Sequence, residues 1–498
     1  MRKILIAFVL ILSLLLSSVI AFADTEDDPV PTPEPAQSTP FIQATAAILV
    51  EATTGRVLFG YNELERRYPA SMTKMITALV VLDHLGPDEV LVIGPEINDM
   101  PSGYATNTHE VGESMTVRML LKALMIRSGN EAGRTLALNV VRRTENDPDI
   151  SYQDAKPIFS ALLNARAEEL GATGTSFDNP YGLHSAQHFT TAYDLALIAR
   201  AYMEVPLLAE IAAMYSFEGD GVGGRNIPDA LIREYSWINP NQTLPEGMFG
   251  HPYMTGIKTG FTTPAGECLA GAAYFNGLSL ITIVFDSESP GRWLDTRRLM
   301  DYGFTNFAFR EVVRAGEHIE NVRITNPRRG EDDILAIHAY EPFTALLSNY
   351  EYENLTRVIT YNLLLTPPVR HYGDTYEDDY NDEYEYDDGL TLLLAPIEEN
   401  ATVGRLAFYI GEELLFATHL YAASSVLERS FDSDMDYMIS NVMGNIFSVR
   451  GLPYWFAIGG TIIGFIGMGW ALSLRRKLKE HDRWHKPRPR RASNNNRY

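Results

Sequence analysis

Cysteine is almost missing from this chain. Cys268 stands alone among 498 residues, so no internal disulfide framework can form and the fold rests on its core. Basic residues are in deficit: 41 Lys and Arg against 64 Asp and Glu give a net charge of −23. That balance argues against nucleic acid as a partner, because phosphate binding needs a basic footprint. Metal-ligand spacing is missing too. His84, His109, His184, His188 and His251 show no H-E-x-x-H pattern. His184 and His188 stand four apart, with no carboxylate or cysteine evident beside them, and all five read as structural or surface residues. The block Gly373 to Gly389 holds no basic residue. It lacks the Gly and terminal Glu of a twelve-residue calcium loop, and reads as a self-repelling, disordered loop. No internal repeat is present, and no metal or cofactor is expected.

What is present starts at the ends. "MRKILIAFVLILSLLLSSVIAFAD" carries Arg2 and Lys3, an apolar run, then Ala21-Phe22-Ala23. This reads as a secretory signal peptide cut after Ala23. An acidic, Pro-rich spacer follows over 24–40. Near the other end, the uncharged run Tyr454 to Leu474 spans roughly 31 Å as a helix at about 1.5 Å per residue. Trp455 and Trp470 lie near its ends, and the basic stretch Arg475 to Lys479 follows. The positive-inside rule then puts the tail 475–498 in the cytoplasm and residues from about 24 to 450 outside.

The 46% apolar content suffices for a sizeable core. From 41 to 310 the chain alternates between strand and helix patterns. "AAILVEATTGRVLFGYN" reads as a hairpin around Thr54-Gly55. "MTVRMLLKALMIRSGNEAGRTLALNVV" gives two helical patterns broken at Ser128-Gly129-Asn130. "YQDAKPIFSALLNARAEELG" and "TTAYDLALIARAYME" also have helical spacing. "MTGIKTGFT", "GECLAGAAYF" and "LSLITIVFDS" read as three strands, the last two joined by an Asn276-Gly277 turn. Strands at both ends with helices between predict an α+β domain. Over 311–427 the helical signal fades and short strand-like runs such as "RVITYNLLL" and "LTLLLAP" predict a smaller β-rich domain carrying the acidic insert 373–389. Residues 428–453 are then juxtamembrane.

Three short motifs carry chemistry. Ser71-Met72-Thr73-Lys74 is S-x-x-K on a helix start after Pro69, where positions i and i+3 meet on one face. A lysine buried among apolar residues loses its proton more easily, and a nearby cation such as Lys258 adds to this. Neutral Lys74 then serves as the base that the weakly nucleophilic Ser71 hydroxyl needs. The plain alternative is a capping serine with a lysine that snorkels to water. Ser128 and Asn130, on a turn between helices, could project into a cleft, one relaying a proton and the other holding an amide; a Gly-containing connector is the bland reading. Lys258-Thr259-Gly260 ends a strand. Lysine and the threonine hydroxyl suit a carboxylate, and glycine admits a substrate backbone to an edge strand. Its bland reading is an exposed turn lysine.

Together, in this order, the three resemble the signature of penicillin-recognising serine enzymes. The chain is more closely similar to low-molecular-mass D-alanyl-D-alanine carboxypeptidases. The likeness runs through "YPASMTKMITALV", "IRSGNEAG", "FDNPYGLH", "MTGIKTGFTTPAGECLAGAA" and "RLMDYGFTNF". The resemblance implies a β-lactamase/transpeptidase-like domain, an antiparallel sheet with helices, followed by a β-rich domain and a C-terminal membrane anchor. It implies that Ser71 attacks the bond between two terminal D-alanines of a peptidoglycan stem peptide, with Lys74 as base. Ser128 and Asn130 complete the proton path and substrate hold. Lys258 and Thr259 bind the terminal carboxylate beside Gly260, and the N–H groups of Ser71 and Phe261 form the oxyanion hole. β-Lactams would acylate Ser71 as substrate mimics. Two departures stand out: Phe261 follows K-T-G where many relatives carry histidine, and the anchor spans the membrane rather than lying on it. A β-lactamase and a catalytically idle wall-binding protein are the alternatives. No convincing glutamate-bearing deacylation loop lies between Ser128 and Lys258, and all motif residues are intact.

Overall fold

The computed structural model describes residues 39–98, 100, 109–222, 233–362, 392–446 and 467–476. The signal peptide, nearly all of the spacer, the acidic insert, most of the membrane span and most of the basic tail lie outside the described residues. The chain divides into two compact units, Met1–Arg310 with Leu346–Glu353, and Glu311–Ala345 with Asn354–Tyr498.

The first unit is built on a five-stranded antiparallel sheet. Its strands are β1 (Ala46–Glu51), β2 (Val57–Tyr61), β3 (Met254–Thr262), β4 (Gly266–Phe275) and β5 (Leu278–Phe285), in spatial order β2-β1-β5-β4-β3. Strand β1 is an unbroken apolar run because both of its faces are covered. Ile48 and Val50 pack into the main helical core, whereas Ala47 and Leu49 point to the opposite face, against Leu299 and Met300. Burying each large aliphatic side chain contributes about 1.5–3 kcal/mol. The β4–β5 hairpin turns at Asn276 and Gly277, both with positive φ (48° and 83°), as a two-residue turn of the twist-matching kind requires.

Among the described residues the helices that accompany the sheet include α1 (Lys74–His84), α2 (Val117–Met125), α3 (Asn130–Thr144), α4 (Tyr152–Glu169), α5 (Ala192–Glu204), α6 (Pro206–Ala213) and α7 (Gly291–Asn306). Thr116, Ser151 and Thr191 cap α2, α4 and α5 through their hydroxyls. Helix α1 is buried along most of its length, which explains its weak amphipathic pattern. Helices α6 and α7 and the hairpin Ser216–Asp220/Glu234–Ile238 had no distinct signal in the sequence.

The second unit centres on a six-stranded sheet in the order Leu355–Tyr361, Thr402–Ile410, Glu413–Ala422, Ile334–Ala339, His318–Thr325, Leu392–Leu394. Alternating residues, Val322 and Ile324 against Leu335 and Ile337, with Leu406 and Leu420, form its core. Within the stretch read as juxtamembrane, Phe431–Ile446 is a helix. Residues 467–476 are also helical. Among the described residues no helix is long and apolar enough to cross a membrane, and none of their His, Cys, Asp and Glu side chains cluster to hold a metal ion.

Candidate active site

The start of α1 is not a simple α-helical turn. Ser71 lies in a 3-10 turn, Ala70–Thr73, that runs directly into α1. At three residues per turn, positions i and i+3 eclipse, so Lys74 stands over Ser71. Its Nζ lies 3.0 Å from Ser71 Oγ, 2.7 Å from Asn130 Oδ1 and 2.8 Å from the Tyr181 carbonyl. Lys74 has no exposed surface. Burial, and then the Lys258 charge, hold it well below the usual lysine range, against a smaller opposing pull from Glu131. The bland reading of a snorkelling lysine is excluded: no part of this side chain reaches water.

Ser128 sits between α2 and α3 with φ +63°. Asn130 opens α3 and is buried beside Lys74. On the other side, β3 is the sheet's outer strand. It brings Lys258, Thr259, Gly260 and Phe261 against the 3-10 turn. A Cβ on Gly260 would come 3.0 Å from the Pro69 carbonyl oxygen and 3.3 Å from Ala70 Cβ, so glycine is what lets strand and turn approach. Lys258 is 1% exposed, with its Nζ 3.1 Å from the Thr259 carbonyl. Burial and the neighbouring Arg292 push it down to about 7.

These residues meet at one open cavity of about 710 Å³, lined by Ser71, Ser128, Asn130, Thr259, Gly260 and Phe261 among others. Lys74 and Lys258 lie behind its wall. All eight residues singled out in the sequence therefore converge. Phe261 projects its ring outward, 62% exposed, at the mouth. Cys268 sits fully buried opposite Gly260 on β4, where burial pushes its thiol up to about 12, and it takes no part in the cavity.

A family model described as D-alanyl-D-alanine carboxypeptidase (peptidase S11) matches residues 34–289, just over half of the chain. The chain belongs to that family. The carboxypeptidase is 26% identical over 313 residues to D-alanyl-D-alanine carboxypeptidase DacF of Bacillus subtilis, covering 62% of this chain and 74% of DacF. It is 30% identical over 279 residues to DacB2 of Mycobacterium tuberculosis, covering 54% and 86% of the two chains. Its fold is shared with the crystal structure of DacD from Francisella tularensis, with a TM-score of 0.54 at 20% identity, over 78% of this chain and 95% of that one. The protein is accordingly a serine-type hydrolase, with an α+β penicillin-recognising catalytic domain.

The structure adds residues to the carboxypeptidase site that the sequence did not disclose. Arg292, from α7, lines the cavity, donates to the Gly260 carbonyl at 3.3 Å, and stacks on Trp293 with its guanidinium 4.1 Å from the ring centre. Nothing in "SPGRWLDTRR" marks it, because its role depends on α7 reaching the end of β3. The histidine reading needs a correction. His188 does have a carboxylate beside it: Asp178 Oδ1 lies 3.1 Å from its Nδ1. The ten-residue separation concealed a pair that only the loop between α4 and α5 brings together.

Proposed function

We propose that the protein removes the terminal D-alanine from peptidoglycan stem pentapeptides through an acyl-enzyme on Ser71, and that β-lactams acylate the same serine. The observation that carries this reading is the fully buried Lys74 placed 3.0 Å from Ser71 Oγ. Ser71 Oγ attacks the D-Ala-D-Ala carbonyl carbon while Lys74 takes its proton. The carbonyl oxygen, now negative, is met by the backbone N–H groups of Ser71 and Phe261. Lys74 accepts through its lone pair, so its contacts with Asn130 Oδ1 and the Tyr181 carbonyl orient the remaining N–H bonds and aim that lone pair at Ser71. Ser128 carries the proton on to the leaving amine, D-alanine departs, and water hydrolyses the ester. Asn130 offers its amide to the substrate backbone. The terminal carboxylate meets Thr259, Lys258 and the permanent charge of Arg292.

The catalytic unit is on the outer side of a membrane, held by a single helix over 454–474 with a short basic tail inside. Support for this is the uncharged run, its flanking tryptophans and the arginines and lysines behind it.

The test is D-alanine release from a D-Ala-D-Ala peptide, together with intact mass after exposure to a penicillin. A single adduct on the Ser71 peptide is expected, lasting many minutes, with both signals gone in Ser71→Ala. Unchanged release in Ser71→Ala would refute the nucleophile. Rapid turnover of the adduct would favour the lactamase alternative.

A further inference from the structure

Beneath the 3-10 turn lies a second set of buried polar groups that the mechanism above does not use. Thr73 has no exposed surface and His188 has 1%. Thr73 Oγ1 lies 2.8 Å from the Ala70 carbonyl oxygen and 2.8 Å from His188 Nε2. The backbone N–H of Asp178 points at His188 Nδ1 from 3.1 Å, and Asn179 Nδ2 lies 3.3 Å from the same atom.

Counting protons fixes the direction of this chain. Two oxygens 2.8 Å apart need a proton between them, and a carbonyl has none to give, so the single Thr73 hydroxyl proton goes to Ala70. The hydroxyl oxygen must then accept from His188, which requires the proton on Nε2. Nδ1 is left as an acceptor, as the inward-pointing Asp178 N–H demands. Burial pulls the His188 imidazolium below its usual range, against the opposing pull of Asp178. Asp178 Oδ1 also lies 3.1 Å from Nδ1; that oxygen already accepts from Asn179 Nδ2 at 2.6 Å and Oδ2 accepts from the Ser185 hydroxyl, so the carboxylate has donors without the ring proton.

The chain ends on a peptide group of special position. The Ala70 carbonyl and the Ser71 N–H belong to one peptide plane. Ala70 holds φ +46°, a left-handed conformation that is strained for an alanine and persists only where its surroundings hold it. Gly182 presses on the same plane: a Cβ there would fall 1.8 Å from the Ala70 oxygen. The plane is thus clamped by Gly182 and by the Thr73 hydroxyl. A hydrogen bond to the carbonyl of an amide also polarises its N–H and strengthens it as a donor.

We propose that Thr73 and His188 are positioning residues of the carboxypeptidase: the relay His188 Nε2–H to Thr73 Oγ–H to the Ala70 carbonyl orients and polarises the Ser71 amide as oxyanion donor. This rests on the reading of Ser71 as nucleophile and of its N–H as part of the oxyanion hole. A relay of this kind acts on the transition state and hardly touches the ground state, because the oxyanion forms only on attack.

The experiment is stopped-flow acylation by a reporter penicillin over a range of concentrations, which separates the binding constant from the acylation rate constant. Adduct mapping at Ser71 and a thermal melt accompany each variant. Thr73→Val is expected to lower the acylation rate constant about 10- to 100-fold, with the binding constant changed less than about twofold, short of the loss from removing an oxyanion donor outright. Thr73→Ser restores the hydroxyl and recovers most of the rate. His188→Gln, which presents an N–H at similar reach, retains more of it than His188→Leu. Nitrogen NMR of the wild-type protein is expected to show His188 as the neutral Nε2–H tautomer. Thr73→Val acylating at the wild-type rate, equal losses in Thr73→Ser and Thr73→Val, or an Nδ1–H tautomer would each overturn the proposal. The tautomer decides the matter if the valine variant does not fold. An adduct mapped away from Ser71 in the wild type would instead refute the nucleophile on which the proposal rests.

Discussion

Two lysines lie in the interior of this site with different tasks. In the proposed mechanism Lys74 must be neutral to accept a proton, and burial, then the Lys258 charge, lower its proton affinity in that direction. Lys258 must be charged to hold a carboxylate, yet burial and Arg292 push it down to about 7. As pH rises through that value the free enzyme loses the Lys258 cation. As pH falls, Lys74 gains a proton and the base is lost. The expected kcat/KM profile is a bell whose alkaline limb belongs to Lys258. Arg292→Gln removes a cation that depresses Lys258, so the alkaline limb should move upward while KM rises; Lys258→Arg should abolish the limb. A limb that stays in place in both variants would belong to another group. The same shift is a stability statement. Between about 7 and its unfolded value of about 10.4, Lys258 is charged in the unfolded chain and neutral in the fold, so the unfolded state binds more protons and stability rises with pH. Thermal melts at pH 7 and 8.5 should show that rise shrinking in Lys258→Met.

At the scale of elements, the site is a meeting of one turn and one strand. The 3-10 geometry stacks Ser71 under Lys74, and the bare backbone at Gly260 lets β3 approach that turn. Gly260→Ala would press a methyl group toward the Pro69 carbonyl and the Ala70 side chain. It should slow penicillin acylation ~10-fold or more through misplacement of Ser71, with the sheet still formed by far-ultraviolet circular dichroism; acylation at the wild-type rate would show that the turn has room to give. A control lies at the opposite end of β4. Gly277 has φ +83° with open space around it, so Gly277→Ala should cost about 1–2 kcal/mol of stability in a denaturant melt. Acylation there should be unaffected. Several of these elements were legible in advance. The hairpin at Thr54-Gly55, the Asn276-Gly277 turn, and helices α2 to α5 follow from period and turn chemistry. Helix α7 was not, because "GRWLDTRRLMDYGFTN" mixes charge and apolar residues around a face that only the sheet defines.

Across the whole molecule, two compact units share one chain, and the first takes in the short return segment Leu346–Glu353. The unit boundary after Arg310 separates a helix-rich fold from a strand-rich one. Ending the chain before residue 454 should move the protein from the membrane fraction to the soluble fraction while penicillin labelling of the catalytic unit persists. Retention in the membrane fraction would point to a second attachment, such as the helix Phe431–Ile446 with its exposed Phe431 and Ile439.

The sequence by itself determined the chemistry. Three motifs supply the proposed nucleophile, base and carboxylate receptor, because each role needs a particular side chain at a spacing set by local geometry. It also determined the β1–β2 and β4–β5 hairpins and the direction of the charge balance. Only the tertiary structure decided what environment those side chains meet. The depth at which Lys74 and Lys258 lie, the arrival of Arg292 from α7, and the pairing of His188 with Thr73 and Asp178 all join residues tens to hundreds of positions apart. Desolvation, charge proximity and hydrogen-bond direction act through space, and a one-dimensional pattern holds no measure of them until the sheet and helices have closed around the site.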